Sequence, residues 1–211
     1  MNLGRAREGL VTRPAVARET GRYTSGGSEP AETSATVPAG GFDFPRGGVV
    51  KVKPFAGTRA GETSTRTFGL AKAKWKIAGT SCDNAGKVNA LIDDDARTLW
   101  FTHTEEGRIP PPQWAAGDLG ESVSIAAVTV TPRAGGSDHG LVDRYRIELS
   151  KDGKTWTPEA EGEFSNIRAN PVEQTVKLPA PMSARFVKFT GLRWGARDRF
   201  AVAELGVLAA Q

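Results

Sequence analysis

From Lys74 onward, apolar positions recur every second residue in short runs bounded by turn formers, the period of strands with one buried face. Val123, Ile125 and Ala127 form one run; Tyr145, Ile147 and Leu149 form another, interleaved with Arg144, Arg146 and Glu148. The second run ends in Ser150-Lys151-Asp152-Gly153-Lys154, where the Asp-Gly pair predicts the positive φ angles of a tight hairpin and Trp156 restarts the return strand. Further strands are predicted at Val172–Leu178, Arg185–Phe189 and Ala201–Leu208, with a turn or two of helix around Gly86–Leu91. Many short strands separated by turns predict an antiparallel sandwich.

Residues 8–70 hold fewer aliphatics and more Gly, Thr and Arg. Strands are still predicted there, at Gly9–Thr12, Gly21–Thr24, Gly41–Phe44, Val49–Phe55 and Thr63–Phe68. Val50 and Val52 alternate with Val49, Lys51 and Lys53 between Gly47-Gly48 and Pro54. A unit of about 60 residues buries little core, so it is expected to lean on its neighbour. Leu70–Lys74 carries no turn residue, which implies a short linker of limited freedom. The expectation is two β-sandwich domains, at 8–70 and 74–211.

Composition narrows the function classes. The chain has 211 residues with 25 Gly and 13 Pro, which favours turns over long helices. No apolar run approaches the roughly 18 residues that span a bilayer, and residues 1–20 lack the apolar core of a signal peptide, so a soluble chain is expected whose export signal lies elsewhere. The net charge of +4 sits in residues 1–70, with 10 Lys/Arg against 6 Asp/Glu, whereas 71–211 hold 18 of each. The N-terminal arginines are scattered without aromatic interleaving, so nucleic acid is not an expected partner. Cys82 is a lone cysteine and closes no intrachain disulfide. The two histidines stand in no zinc or nucleophile motif, and the chain has no Walker loop or dinucleotide fingerprint; no active site is expected.

The most informative stretch is Ala90-Leu-Ile-Asp93-Asp94-Asp95-Ala96-Arg97-Thr98-Leu-Trp100. A hard cation such as calcium takes about six to eight oxygens, and Asp93, the Asp95 carbonyl and the Thr98 hydroxyl are spaced to supply some of them. An ordinary solvated turn has the same composition. As a glycosidase pair, Asp93 and Asp95 are poorly placed, since neighbouring loop positions rarely give the opposed carboxylates about 5–9 Å apart which that chemistry needs.

The stretch resembles the A-x-x-D-G-D-x-x-T-x-W signature of the galactose-binding-like discoidin family, which includes factor V/VIII type C domains and family 32 carbohydrate-binding modules. Further blocks agree in order: Asp118-Leu-Gly120, Thr131-Pro-Arg133, Gly140-Leu-Val-Asp-Arg-Tyr145, Ser150-Lys-Asp-Gly-Lys-Thr-Trp156, Ala184-Arg-Phe-Val187 and Ala203-Glu-Leu205. Asp94 stands where the family usually has Gly. The resemblance implies an all-β, galactose-binding-like jelly-roll sandwich over 74–211. It also implies a structural calcium held by the Ala90 carbonyl, Asp93, the Asp95 carbonyl, Thr98, the Ala203 carbonyl and Glu204.

Sugar-binding members carry an arginine, a polar partner about five residues later and an aromatic before the last strand; the corresponding residues are Arg133, Asp138 and Phe200. An arginine fork and a carboxylate suit vicinal hydroxyls, and an aromatic face suits the apolar side of a pyranose. The same arginine also fits a structural pair with a loop carboxylate. Where such members carry His after the signature Trp, this chain has Phe101, with His103 close by. Trp194 is a second stacking candidate or a core residue.

Arg22-Tyr-Thr-Ser-Gly-Gly-Ser-Glu-Pro30 and Phe42–Ala56 resemble the small domain at the C-terminus of chitobiases and related hexosaminidases. The pair of domains resembles the tail of bacterial α-L-fucosidases, whose catalytic barrel would precede residue 1. The resemblance implies a non-catalytic, glycan-targeting, monomeric tail of an extracellular or periplasmic glycoside hydrolase. The alternative is a discoidin-type protein- or membrane-interaction domain, although the loops at 101–112 and 134–140 offer Gly, Pro and polar residues rather than apolar spikes.

Overall fold

The structure, a computed structural model describing residues 10–11, 20–82, 87–102, 110–134, 140–195 and 200–210, consists almost wholly of strands. It divides into two units, Met1–Ala71 with Leu208–Gln211, and Lys72–Val207.

The first unit contains β1 (Leu10–Val11), β2 (Thr20–Thr24), β3 (Ala35–Thr36), β4 (Phe42–Asp43), β5 (Gly48–Ala56), β6 (Arg59–Ala60) and β7 (Ser64–Phe68). An antiparallel sheet runs β3-β2-β5-β6 with β7 also on β5, and β1 pairs with β4. The alternation along β5 decides its facing. Val50 and Val52 are buried with Val37 and Phe68, while Tyr23, Phe42 and Phe44 pack against them. Lys51 and Lys53 on the opposite face pair with Glu29 at 3.3 and 3.6 Å. The strand enters through Gly47, whose φ of 64° and close approach to the Phe68 carbonyl (2.5 Å from a built Cβ) admit only glycine. The two-residue strands β3 and β6 are too short to carry a readable alternation.

The second unit contains β8 (Lys76–Thr80), a 3-10 helix (Lys87–Ile92), β9 (Trp100–Phe101), β10 (Gln113–Pro132), β11 (Val142–Ser150), β12 (Thr157–Glu163), β13 (Gln174–Trp194) and β14 (Ala201–Ala209). Their order is β12-β11-β13-β10-β14-β9, with β8 also on β10. The runs expected at Val172–Leu178 and Arg185–Phe189 are one long strand, β13, paired along β10. The pairing slips between Asp118 and Val123 and again between Ile125 and Ala127, so both strands bend and serve two layers of a sandwich. Arg185 grips both Asp118 oxygens at 2.8 Å beside the first slip. Inward positions Ala115, Val187, Phe189, Ile147 and Leu149 form the core.

Two local expectations are corrected. Residues 151–156 separate β11 from β12, and of the Asp-Gly pair only Gly153 takes a positive φ, 73°. The Asp152 carboxylate accepts the Lys154 and Thr155 amides at 2.8 Å instead, so a side-chain-capped loop replaces the tight hairpin, and β12 starts at Thr157. The segment Leu70–Lys74 does hold a turn, closed by the Trp75 amide on the Lys72 carbonyl at 2.9 Å.

Candidate functional site

The acidic loop is held by the elements on either side of it. The 3-10 helix buries Val88, Ala90 and Leu91. On the far side Trp100 is fully buried and donates its indole N–H to the Cys82 carbonyl at 2.9 Å. β9 pairs with β14, Trp100 opposite Val202, which brings Ala203 and Glu204 beside the loop.

Inside the loop Asp93 Oδ1 accepts the Asp95 amide at 2.9 Å. The Thr98 hydroxyl lies 2.8 Å from Asp93 Oδ2 and 2.9 Å from the Asp95 carbonyl, so its one proton serves either. The Asp95 carboxylate is held by Arg97 through Nε at 2.8 Å and Nη2 at 2.7 Å, and its carbonyl accepts the Thr98 amide at 2.9 Å. Asp94 has φ 60°, the left-handed conformation that the glycine of the signature adopts freely and Asp tolerates.

Glu204 is buried at 4% exposure, and its Oε1 has no hydrogen-bond partner among the described residues. Burial pushes its carboxyl up to about 7; Lys72 pulls the other way and the adjacent Asp93 raises it further. Lys72 Nζ bonds Glu204 Oε2 and lies 3.1 Å from Asp94 Oδ1. Sequence reasoning placed Lys72 in a linker and assigned it no role; nothing in its local pattern signals a partner more than 130 residues away. No three His, Cys, Asp or Glu side chains converge on one point among the described residues. A cation here would therefore rely on carbonyl as well as carboxylate oxygens, the donors a hard cation prefers.

The flanks of the loops that carry the expected sugar-binding residues meet at one end of the sandwich. Thr102 N donates to the Phe200 carbonyl at 3.0 Å, Ala201 N to Gly140 at 2.9 Å and Gly195 N to Leu141 at 3.0 Å, so the flanks of three loops meet there. Arg133, half-buried, follows β10, and Trp194, also half-buried, ends β13. Phe101 lies on β9 with Lys87 Nζ 4.7 Å from its ring centroid. Asp138 and His103 lie outside the described residues. Phe200 is corrected as a stacking platform: it is 0% exposed, edge-on to Trp100 at 4.7 Å and to Trp194 at 5.8 Å, with its ring over Gly191. Apolar surroundings on every described side make it core.

The F5/8 type C domain family model matches residues 76–205, more than half of the chain. The chain belongs to that family. Among solved structures, CpGH89CBM32-5 from Clostridium perfringens, in complex with GalNAc-β-1,3-galactose, superposes with a TM-score of 0.59 at 25% identity, covering 67% of this chain and 100% of that one. The C-terminal domain of a Bacteroides fragilis chitobiase gives 0.59 at 25% identity, covering 68% and 98%. A curated relative, galactose oxidase of Gibberella zeae, is 25% identical over 171 residues. That match takes in 75% of this chain and 24% of the oxidase, so the F5/8 type C chain spans about a quarter of its relative.

Proposed function

We propose that the chain is a non-catalytic glycan-binding module that targets a secreted glycoside hydrolase, through the face formed by Arg133, Asp138, His103, Phe101 and Trp194. The observation that carries this is the meeting of three loop flanks, Thr102 with Phe200, Gly140 with Ala201 and Leu141 with Gly195, with the half-buried Phe101 and Trp194 next to them in the chain. A directional donor beside a flat apolar surface is what a pyranose requires. The sugar complex of CpGH89CBM32-5 and the chitobiase origin of the second neighbour support the substrate class and the hydrolase context. The N-terminal block at 22–30 supports a chitobiase-type ancillary domain and an α-L-fucosidase-like parent exported from the cytoplasm.

A structural calcium belongs to the same proposal. The residues fit it: the unpartnered buried Oε1 of Glu204 and the Asp93 carboxylate are complemented by the carbonyls of Ala90, Asp95 and Ala203 and by Thr98. Residues of the signature loop and of β14 would hold the ion together, and it would supply a structural cross-link rather than catalysis.

Titrating the chain with N-acetylgalactosamine, galactose and fucose by NMR tests the face. A few contacts in a shallow site give an affinity of about 0.1–1 mM. Arg133→Ala should abolish most of the shifts while leaving the melting temperature unchanged, in calcium and in chelator alike. Shifts confined to other surfaces, or sedimentation with liposomes in place of sugar binding, would refute it.

A further inference from the structure

Lys72 reaches Glu204 and Asp94 from outside the signature loop. Its carbonyl closes the turn to Trp75, and its ammonium lies 5.9 Å from the centroid of the buried Trp75 ring. The backbone of Lys72 is thus set by its own turn, outside the loop that its ammonium reaches. It is only 9% exposed, and it serves Asp94 at 3.1 Å and Glu204 Oε2 together. A buried carboxylate without a counter-charge is strongly unfavourable, and Lys72 supplies that charge from within the chain. The other oxygen of the same carboxylate is buried and unpartnered among the described residues, which is the lone pair a metal would take. With calcium bound, Glu204 would face two cations, one of them covalently tethered. Positive charges sharing one carboxylate in a water-poor setting repel each other, so each weakens the other's hold.

We propose that Lys72 is a resident counter-ion that competes with calcium for Glu204, holding the pocket together without metal and weakening the calcium it accepts. The proposal rests on the calcium reading above and goes beyond it by making this site only partly calcium-dependent. Its consequence is a targeting module that stays folded in calcium-poor surroundings.

The test compares the full chain with Lys72→Met, each melted in chelator and across a calcium titration, with affinities from calorimetry. The wild-type chain should melt within a few degrees with and without calcium. The variant should melt about 10 °C lower in chelator, regain wild-type melting in excess calcium, and bind calcium about tenfold more tightly. Equal calcium affinity and equal melting in chelator for the two proteins would overturn the competition while leaving the calcium site standing. A destabilised variant that calcium does not rescue, alongside a wild-type chain that ignores calcium, would refute the calcium site itself and the competition with it. Should Lys72→Met not fold even in calcium, the wild-type protein still decides. The protected Lys72 ammonium resonance, seen by nitrogen-15 NMR in chelator, must shift or broaden on calcium addition, and an unchanged signal overturns the proposal.

Discussion

Phe200 separates a platform from a core residue, and one substitution distinguishes them. The ring is fully buried, edge-on to Trp100 and Trp194, with Phe189 at 6.0 Å. Its backbone is pinned to Thr102 on both sides, the Phe200 amide donating to Thr102 Oγ1 at 3.2 Å and the carbonyl accepting from Thr102 N at 3.0 Å, so the site cannot easily collapse. Phe200→Ala is therefore expected to cost about 3–5 kcal/mol through lost transfer energy and a retained cavity. In a unit the size of Lys72–Val207 this lowers Tm by roughly 10–20 °C.

Gly191 supplies the internal control. A Cβ built there lies 2.3 Å from Phe200 Cε2, so Gly191→Ala alone overpacks the ring and costs about 1–3 kcal/mol. With Phe200→Ala in place that methyl enters the cavity instead. The double-mutant cycle should then show a favourable coupling of about 1–2 kcal/mol. Urea unfolding followed by tryptophan fluorescence measures all four corners. If Phe200→Ala unfolded like wild type yet lost sugar binding, or if the two substitutions were additive, the core assignment would be wrong and the stacking role restored.

Why Phe200 misled the sequence reading is itself physical. Its position before the last strand is shared by exposed and buried aromatics, and Gly191, nine residues upstream on β13 in the segment Phe189–Trp194, makes room for the ring to lie down. Sequence adjacency carries no trace of that pairing. By contrast, β5 was legible almost to the residue, because Val50 and Val52 against Lys51 and Lys53 encode facing locally. The same holds for Tyr145–Leu149 within β11 and for Ala201–Leu208 within β14. Asp152-Gly153 marked a turn correctly, but not its type: the Asp152 carboxylate found two amides closer to hand than the cross-strand pairing a tight hairpin offers.

The internal bonding of the acidic loop was legible because its spacing is local: Asp93, Asp95 and Thr98 meet one another through hydrogen bonds. Glu204 entered only through family resemblance, and Lys72 did not enter at all. Both depend on the β9–β14 pairing and on a turn before β8, contacts made across the fold rather than along the chain. Long-range ion pairs leave no periodic signal.

Two further outcomes are expected. Gly47→Ala forces a left-handed φ on a residue with a Cβ and drives that atom into the Phe68 and Gly69 carbonyls at 2.5 Å, so the β5–β7 pairing should loosen. Hydrogen exchange should quicken across Val49–Val52, and unchanged protection there would refute the steric argument. The Asp152 carboxyl is held at about 2, below its ordinary 3.8, by the Thr155 and Lys154 amides and by Ser150. A depressed carboxylate contributes its stability fully above the unfolded value and loses it as pH falls through the folded one. Asp152→Asn keeps the shape of the side chain but removes that charge, so the variant should melt below wild type from pH 5 to 7 and converge with it as the pH approaches 2. A gap in melting temperature that stayed constant through that acid range would mean that the loop is held by geometry alone and that the carboxylate charge contributes nothing.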